Sequence, residues 1–83
     1  MIDLILERYP DEEILKADGY DSAIIGIDEV SMRLIYSKAL IIAILQSPEH
    51  GMDYLEAIEF FDYNIGSAYV GEKTPIYMEN VFE

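Results

Sequence analysis

Carboxylates and aromatic rings share one side of a helix predicted for residues 53–65. At 100° per residue, three acids and two aromatic residues fall together on this side: Asp53, Glu56, Glu59, Phe60 and Tyr63. Neither lysine nor arginine accompanies these acids, although solvated helix faces ordinarily mix the two signs. Aromatic side chains anchor contacts between proteins, and acids steer a basic partner into place. The pattern therefore predicts a surface that binds another protein.

The same five residues also fit roles within the fold. Asp53 and Glu56 have the spacing of a capping box, Asp-x-x-Glu, in which both side chains serve helix initiation. Phe60 and Tyr63 would then pack against the hairpin or against a second subunit. The sequence leaves both interpretations open.

Oxygen ligands for a metal ion are only loosely grouped. Asp18 and Asp21 flank a predicted turn, and Asp28 and Glu29 follow the next predicted strand. Such clusters can hold calcium or magnesium, but the EF-hand spacing is absent and turn formation accounts for the aspartates. We therefore expect no metal site and no cofactor.

Groups suited to catalysis are scarce. His50 is the single histidine, and it lies in a predicted turn without a nucleophile beside it. The chain has no cysteine, which excludes thiolate nucleophiles, thiolate metal sites and disulfides. Seventeen acids supply many accidental carboxylate pairs, so such pairs support a hydrolase only weakly. We expect no catalytic residues and no enzyme activity, and a small enzyme using Asp18 and Asp21 is the least favoured hypothesis.

The net charge is the most informative feature of the composition. Seventeen acids against five bases give the 83-residue chain a net charge of −12. Nucleic acids and anionic membranes repel such a chain, so we expect it to bind neither directly. A basic protein surface, such as a nucleic-acid-binding groove, would attract it. Acidity that only maintains solubility is the alternative.

The elements that must position these side chains form an α+β pattern. Four segments have helical character: 2–9, the stretch from Pro10 to a stop at Gly19, 38–46 and 53–65. Residues 23–27 and 33–36 predict a β-hairpin with a loop longer than two residues. Residues 76–78 could add a third, antiparallel strand, and Pro75 suggests an edge position for it. We expect one small domain, residues 1–83, in which the hairpin packs against three or four short helices.

Two of the helical segments carry most of the apolar surface. The apolar side of helix 53–65 is predicted to be buried, and it extends to Tyr69 if the helix continues that far: Tyr54, Ile58, Phe61, Ile65 and Tyr69. Residues 38–46 are apolar almost all round, with Ser37 as a suitable N-cap, although so short a run also fits a strand. A helix without a polar face belongs in the centre of a domain or between subunits. Together with an apolar content of 52%, this segment fits either a generously packed core or a homodimer in which a second copy covers apolar surface, and the sequence leaves both open.

No segment is expected to enter a membrane. The N-terminus lacks a basic stretch followed by a long apolar run, so we expect no signal peptide. The longest apolar run, 39–45, is far shorter than the ~20 residues that cross a bilayer. We therefore expect a cytoplasmic protein.

Four segments together resemble one group of proteins: 9–13, 18–26, 33–37 and 66–75. The group comprises small acidic uncharacterised proteins of bacteriophage and prophage genomes, and the resemblance covers nearly the whole chain. It implies a viral setting, and hence the host cytoplasm, but it carries no functional residues over. Small acidic phage proteins are often inhibitors of host proteins that handle nucleic acid or act in defence.

Two functions are therefore expected. The first is a small acidic interaction module, as in a phage-encoded inhibitor that blocks a basic, nucleic-acid-binding surface of a host protein. The alternative is a structural or regulatory homo-oligomer without catalytic activity, in which residues 40–45 and the aromatic side chains make subunit contacts.

Overall fold

A β-hairpin lies at the centre of the structure, a computed structural model that describes residues 1–80. Strand β1 (Ile24–Asp28) pairs antiparallel with β2 (Arg33–Ser37), in a register that places Ile27 opposite Leu34. Branched aliphatic residues favour this pairing because they pack well on a pleated surface. The predicted hairpin is confirmed.

The carboxylate of Asp28 closes the hairpin turn. Its Oδ1 accepts a hydrogen bond from the Val30 amide at 3.0 Å, and its Oδ2 accepts one from the Ser31 hydroxyl at 3.0 Å. These bonds organise a turn that lacks the usual Asn-Gly or Asp-Gly pair. Hydrogen bonds from the Val30 amide and then the Ser31 hydroxyl lower the pKa of Asp28, because both favour the charged carboxylate.

A third strand makes the sheet mixed. β3 (Ile76–Met78) runs parallel to β2, with Tyr77 opposite Tyr36, and the strand order is β1-β2-β3. The expectation of an antiparallel third strand is therefore wrong, whereas its edge position is confirmed. Parallel neighbours require a crossover connection, and the helices that follow β2 carry the chain back to the end of the sheet where β3 begins.

Three α-helices accompany the sheet: α1 (Ile2–Arg8), α2 (Lys38–Leu45) and α3 (Tyr54–Phe60). α3 continues directly into a π-helical segment, Phe61–Gly66, and one turn of 3₁₀-helix, Asp21–Ala23, precedes β1. α1 contacts β1, whereas α2 contacts both β2 and α3. The described residues thus confirm the α+β class and a small set of short helices.

A buried cap begins α2. The Ser37 hydroxyl accepts a hydrogen bond from the Leu40 amide at 3.2 Å and donates one to Asn80 Oδ1 at 2.7 Å. Ser37 is fully buried, so both bonds form away from water. A cap of this type stabilises a helix by about 1 kcal/mol. The choice between helix and strand that the sequence left open for residues 38–46 is therefore decided in favour of a helix, with Ser37 as the predicted N-cap.

The helix expected between Pro10 and Gly19 is not formed. Residues 12–17 have no regular secondary structure, and the Ala17 amide donates to the hydroxyl of Tyr36 at 2.7 Å. So short a helix is marginal in water unless an apolar face packs against the core. Here the half-buried Ile14 contacts the core from an irregular segment, so tertiary contacts override the local preference.

The core joins α1, α2 and α3 to the hairpin. Its buried apolar residues come from nearly every element: Ile5, Ala23, Ile24, Leu34, Tyr36, Ile41, Ile42, Leu45, Ala57, Phe61 and Ile65. Aromatic contacts connect the strands with the π-helical segment, since the ring centroids of Tyr36 and Tyr77 lie 5.6 Å apart and those of Tyr77 and Phe61 lie 5.4 Å apart. Edge-to-face rings such as the second pair stabilise a core beyond their burial.

Replacing Tyr36 with Phe should destabilise the fold by about 1–2 kcal/mol, because the Ala17 amide loses its acceptor at a partly buried position. Urea denaturation followed by circular dichroism measures the free energy of unfolding. Tyr69→Phe is the matched control, since Tyr69 is 77% exposed. Equal unfolding free energies for the two variants would contradict a structural role for the Tyr36 hydroxyl.

Stability should also fall as the pH rises above about 10. Burial raises the pKa of Tyr36 and of Tyr77, whereas an unfolded tyrosine ionises near pH 10. This stability is present below the unfolded pKa and is lost as the pH rises through the folded pKa, because the unfolded chain ionises first. Urea denaturation at increasing pH measures the loss. Tyr36→Phe should make the loss less steep, because one of the two buried tyrosines no longer ionises.

Candidate protein-interaction face

A capping box fixes the start of the predicted binding surface. The Glu56 amide donates to Asp53 Oδ1 at 2.8 Å, and the Asp53 amide donates to Glu56 Oε1 at 3.3 Å. The interpretation that assigned these two acids to helix initiation is therefore confirmed. Both side chains remain exposed, so each carboxylate keeps oxygen lone pairs and charge available to solvent.

The helix presents a narrower buried side than the sequence predicts. Phe61 and Ile65 are buried and Ile58 is half-buried, as expected, but Tyr54 and Tyr69 are 58% and 77% exposed. Ala57, one turn before Phe61, occupies the buried position, and the helical segment ends at Gly66. Tyr69 consequently lies in the loop beyond the helix and not on its apolar side.

Four of the five predicted binding residues line one shallow depression of about 380 Å³: Glu56, Glu59, Phe60 and Tyr63, together with Met52 and Asn64. Phe60 is half-buried against the core, whereas Tyr63 is 83% exposed. The structure thus places two carboxylates beside the half-buried ring of Phe60 and the exposed ring of Tyr63. Asp53 lies outside the depression, at the start of the helix. We refer to all five residues as the α3 face.

Within the described residues, no ion pair neutralises the acids of the α3 face. The ion pairs formed among residues 1–80 belong to Lys16, Lys38 and Lys73, and none of them involves an acid of this face. Lys38 instead lies 3.9 Å from Asp62 and 5.2 Å from the centre of the Phe61 ring. The α3 face therefore keeps its negative charge.

The other acidic residues considered as metal ligands have local roles. Lys16 Nζ lies 3.2 Å from Asp21 Oδ2 and 4.0 Å from Asp18 Oδ1, so this loop holds its own counter-charge. Asp28 closes the hairpin turn, and His50 is exposed in the turn after α2. Within residues 1–80, the structure places no group of three or more histidines and acids where a metal could bind.

A second depression, which sequence reasoning missed, adjoins the α3 face. It has a volume of about 420 Å³ and lies between residues 15–20, the π-helical segment and the chain around β3. Asn64 lines both depressions, so they are neighbours. No pattern in the sequence indicated this pocket, because residues 15–18 were assigned to a helix and the π-helical turn has no recognisable signature.

Comparisons with known proteins give the chain no relative: no family model, curated protein or solved structure matches it. Among the described residues, the helices are too short to cross a membrane.

Replacing Asp53 with Ala should destabilise the protein by about 1 kcal/mol through loss of the N-cap. Asp53→Asn removes the same charge but keeps an oxygen that can accept from the Glu56 amide, so it should stay within a few tenths of a kcal/mol of the native protein. Thermal or urea denaturation distinguishes the two. Equal losses in both variants would show that charge, and not the cap, is the stabilising feature.

Proposed function

We propose that the protein is a non-catalytic interaction module whose α3 face binds a basic surface of another protein. The observation that carries this proposal is the pair of unneutralised carboxylates, Glu56 and Glu59, beside Phe60 and the exposed ring of Tyr63. Aromatic rings contribute affinity where they exclude water, and charge complementarity contributes specificity and a fast association rate.

The net charge of −12 extends this preference beyond the α3 face. It repels nucleic acids, yet it attracts the basic surfaces that bind them, and acids on such a surface compete with phosphates. The resemblance to small acidic phage proteins supports the more specific proposal of a phage-encoded inhibitor. It would act in the host cytoplasm by blocking a nucleic-acid-binding surface of a host protein.

A second candidate function is self-association through α2 and α3. Leu40, Tyr54 and Leu55 are 44%, 58% and 70% exposed, although α2 also supplies buried residues to the core. The outer side of α2 carries no charge beyond Lys38, so a second acidic copy would meet least repulsion there. Sedimentation equilibrium tests this candidate: a dimer supports it, and a monomer at high concentration excludes it.

The proposed function is tested by capture from host lysate with matched charge variants. Glu56→Gln with Glu59→Gln removes two charges from the α3 face, and glutamine at position 56 still completes a capping box. Asp11→Asn with Glu13→Gln removes two charges from an exposed segment elsewhere. Native protein should enrich a basic protein that high salt releases and that duplex DNA or RNA displaces, because salt screens exposed charges.

The α3-face variant should bind the captured protein about tenfold more weakly than native protein, which corresponds to about 1.4 kcal/mol of binding free energy. The control variant should lose less than about threefold, since it changes the net charge equally but leaves the contact surface intact. Surface plasmon resonance with the purified partner measures both. Equal losses in the two variants would show that overall charge, and not the α3 face, governs binding.

A further inference from the structure

The depression beside the α3 face is a pocket with apolar walls. Its apolar lining includes Leu15, Ala17 and Tyr20 from the irregular segment before β1, together with Ile65 of the π-helical segment and Tyr77 of β3. Its volume of about 420 Å³ falls within the range of pockets that enclose ligands. The pocket is therefore large enough for a bulky apolar group.

Charge at the rim restricts what can enter this pocket. Among residues 1–80, Lys16 is the one charged residue that lines it, and its ammonium group is already paired with Asp21 at 3.2 Å and with Asp18 at 4.0 Å. The lining therefore offers no unpaired positive charge to an anionic ligand. An apolar group attached to a cationic chain fits better, because the apolar group meets apolar walls and the chain meets Glu56 and Glu59 in the neighbouring depression.

The π-helical segment connects the pocket to the α3 face. Asn64 belongs to the lining of both depressions, and its Nδ2 donates to the carbonyl of Phe60 at 3.2 Å, which fixes the side chain along the helix. Single π-helical turns inside α-helices are frequent at functional sites because they displace side chains from the regular helical register. A chain lying across Asn64 would touch the acids on one side and the pocket on the other.

We propose that the partner contributes a basic segment with one large apolar side chain, which inserts into the pocket while its basic residues contact Glu56 and Glu59. This inference rests on the proposed function and names the kind of segment that the α3 face recognises. The arrangement matches well-studied interfaces, in which a buried apolar or aromatic anchor provides most of the affinity and a polar rim surrounds it.

Two short synthetic peptides of equal charge test the proposal. Both alternate lysine with glycine, and they differ only at the central residue, which is phenylalanine in one and alanine in the other. The phenylalanine peptide should bind native protein about tenfold more tightly, because burying an aromatic ring removes a large apolar area from water. Isothermal titration calorimetry measures both affinities.

Protein variants separate the pocket from the acids. Ala68→Trp places a bulky ring in the pocket lining. The phenylalanine peptide should then bind no more tightly than the alanine peptide, whose affinity should not change. Glu56→Gln with Glu59→Gln should weaken both peptides by the same factor and leave the preference unchanged. In case Ala68→Trp fails to fold, amide shifts of native protein provide a second measurement, since only the phenylalanine peptide should move the resonances of Ile65 and Tyr77.

Each contrary outcome is distinct. Salt-sensitive binding of both peptides with equal affinity overturns the pocket proposal and leaves the α3 face as the binding site. Saturation of the pocket by indole alone, without a preference between the peptides, overturns it in favour of a free small molecule. Failure of both peptides to bind overturns this inference alone if a captured basic protein still binds through the α3 face, and it overturns the proposed function as well if no such protein is captured.

Discussion

The hydrogen bond from the Ala17 amide to the Tyr36 hydroxyl, 2.7 Å long, connects the irregular segment before β1 to the middle of the sheet. Tyr36 is fully buried on the central strand, so its hydroxyl needs a partner within the protein. The Ala17 amide is that partner, and the bond holds residues 12–20 in place although they have no regular secondary structure. The same ring contacts Tyr77 of β3, so one side chain determines where two distant parts of the chain lie.

The position of the α3 face follows from this aromatic centre. The rings of Tyr77 and Phe61 pack edge to face, and Phe61 in turn lies so close to Gly66 that a Cβ there would be 2.8 Å from its ring. Glycine at this position therefore allows the π-helical segment to close over the ring. Because Phe61 directly follows α3, its packing also sets the direction in which Phe60 and Tyr63 project. The helix that packs against the core therefore also carries the candidate binding residues.

Features set by neighbouring residues were predictable from the sequence, and features set by distant residues were not. The cap at Ser37 and the capping box that begins at Asp53 each depend on residues three positions apart, so both can be recognised in the sequence. The irregular course of residues 12–17 depends on Tyr36, and the parallel direction of β3 depends on the helical crossover. The exposure of Tyr69 follows from where the π-helical segment ends. The pocket beside Asn64 combines all of these long-range effects, which is why only the acidic and aromatic half of the site was foreseen.

The parallel pairing of β3 with β2 also determines how the chain can assemble. Ile35 pairs with Ile76, and two helices and the π-helical segment must be synthesised before that partner exists. Until then the hairpin offers an unpaired edge, the kind of surface to which a second nascent chain can add a strand. Contacts between distant residues also slow folding, because the intervening loop must be ordered first. Dense negative charge counteracts this hazard, since it keeps unfinished copies apart while the last strand is added.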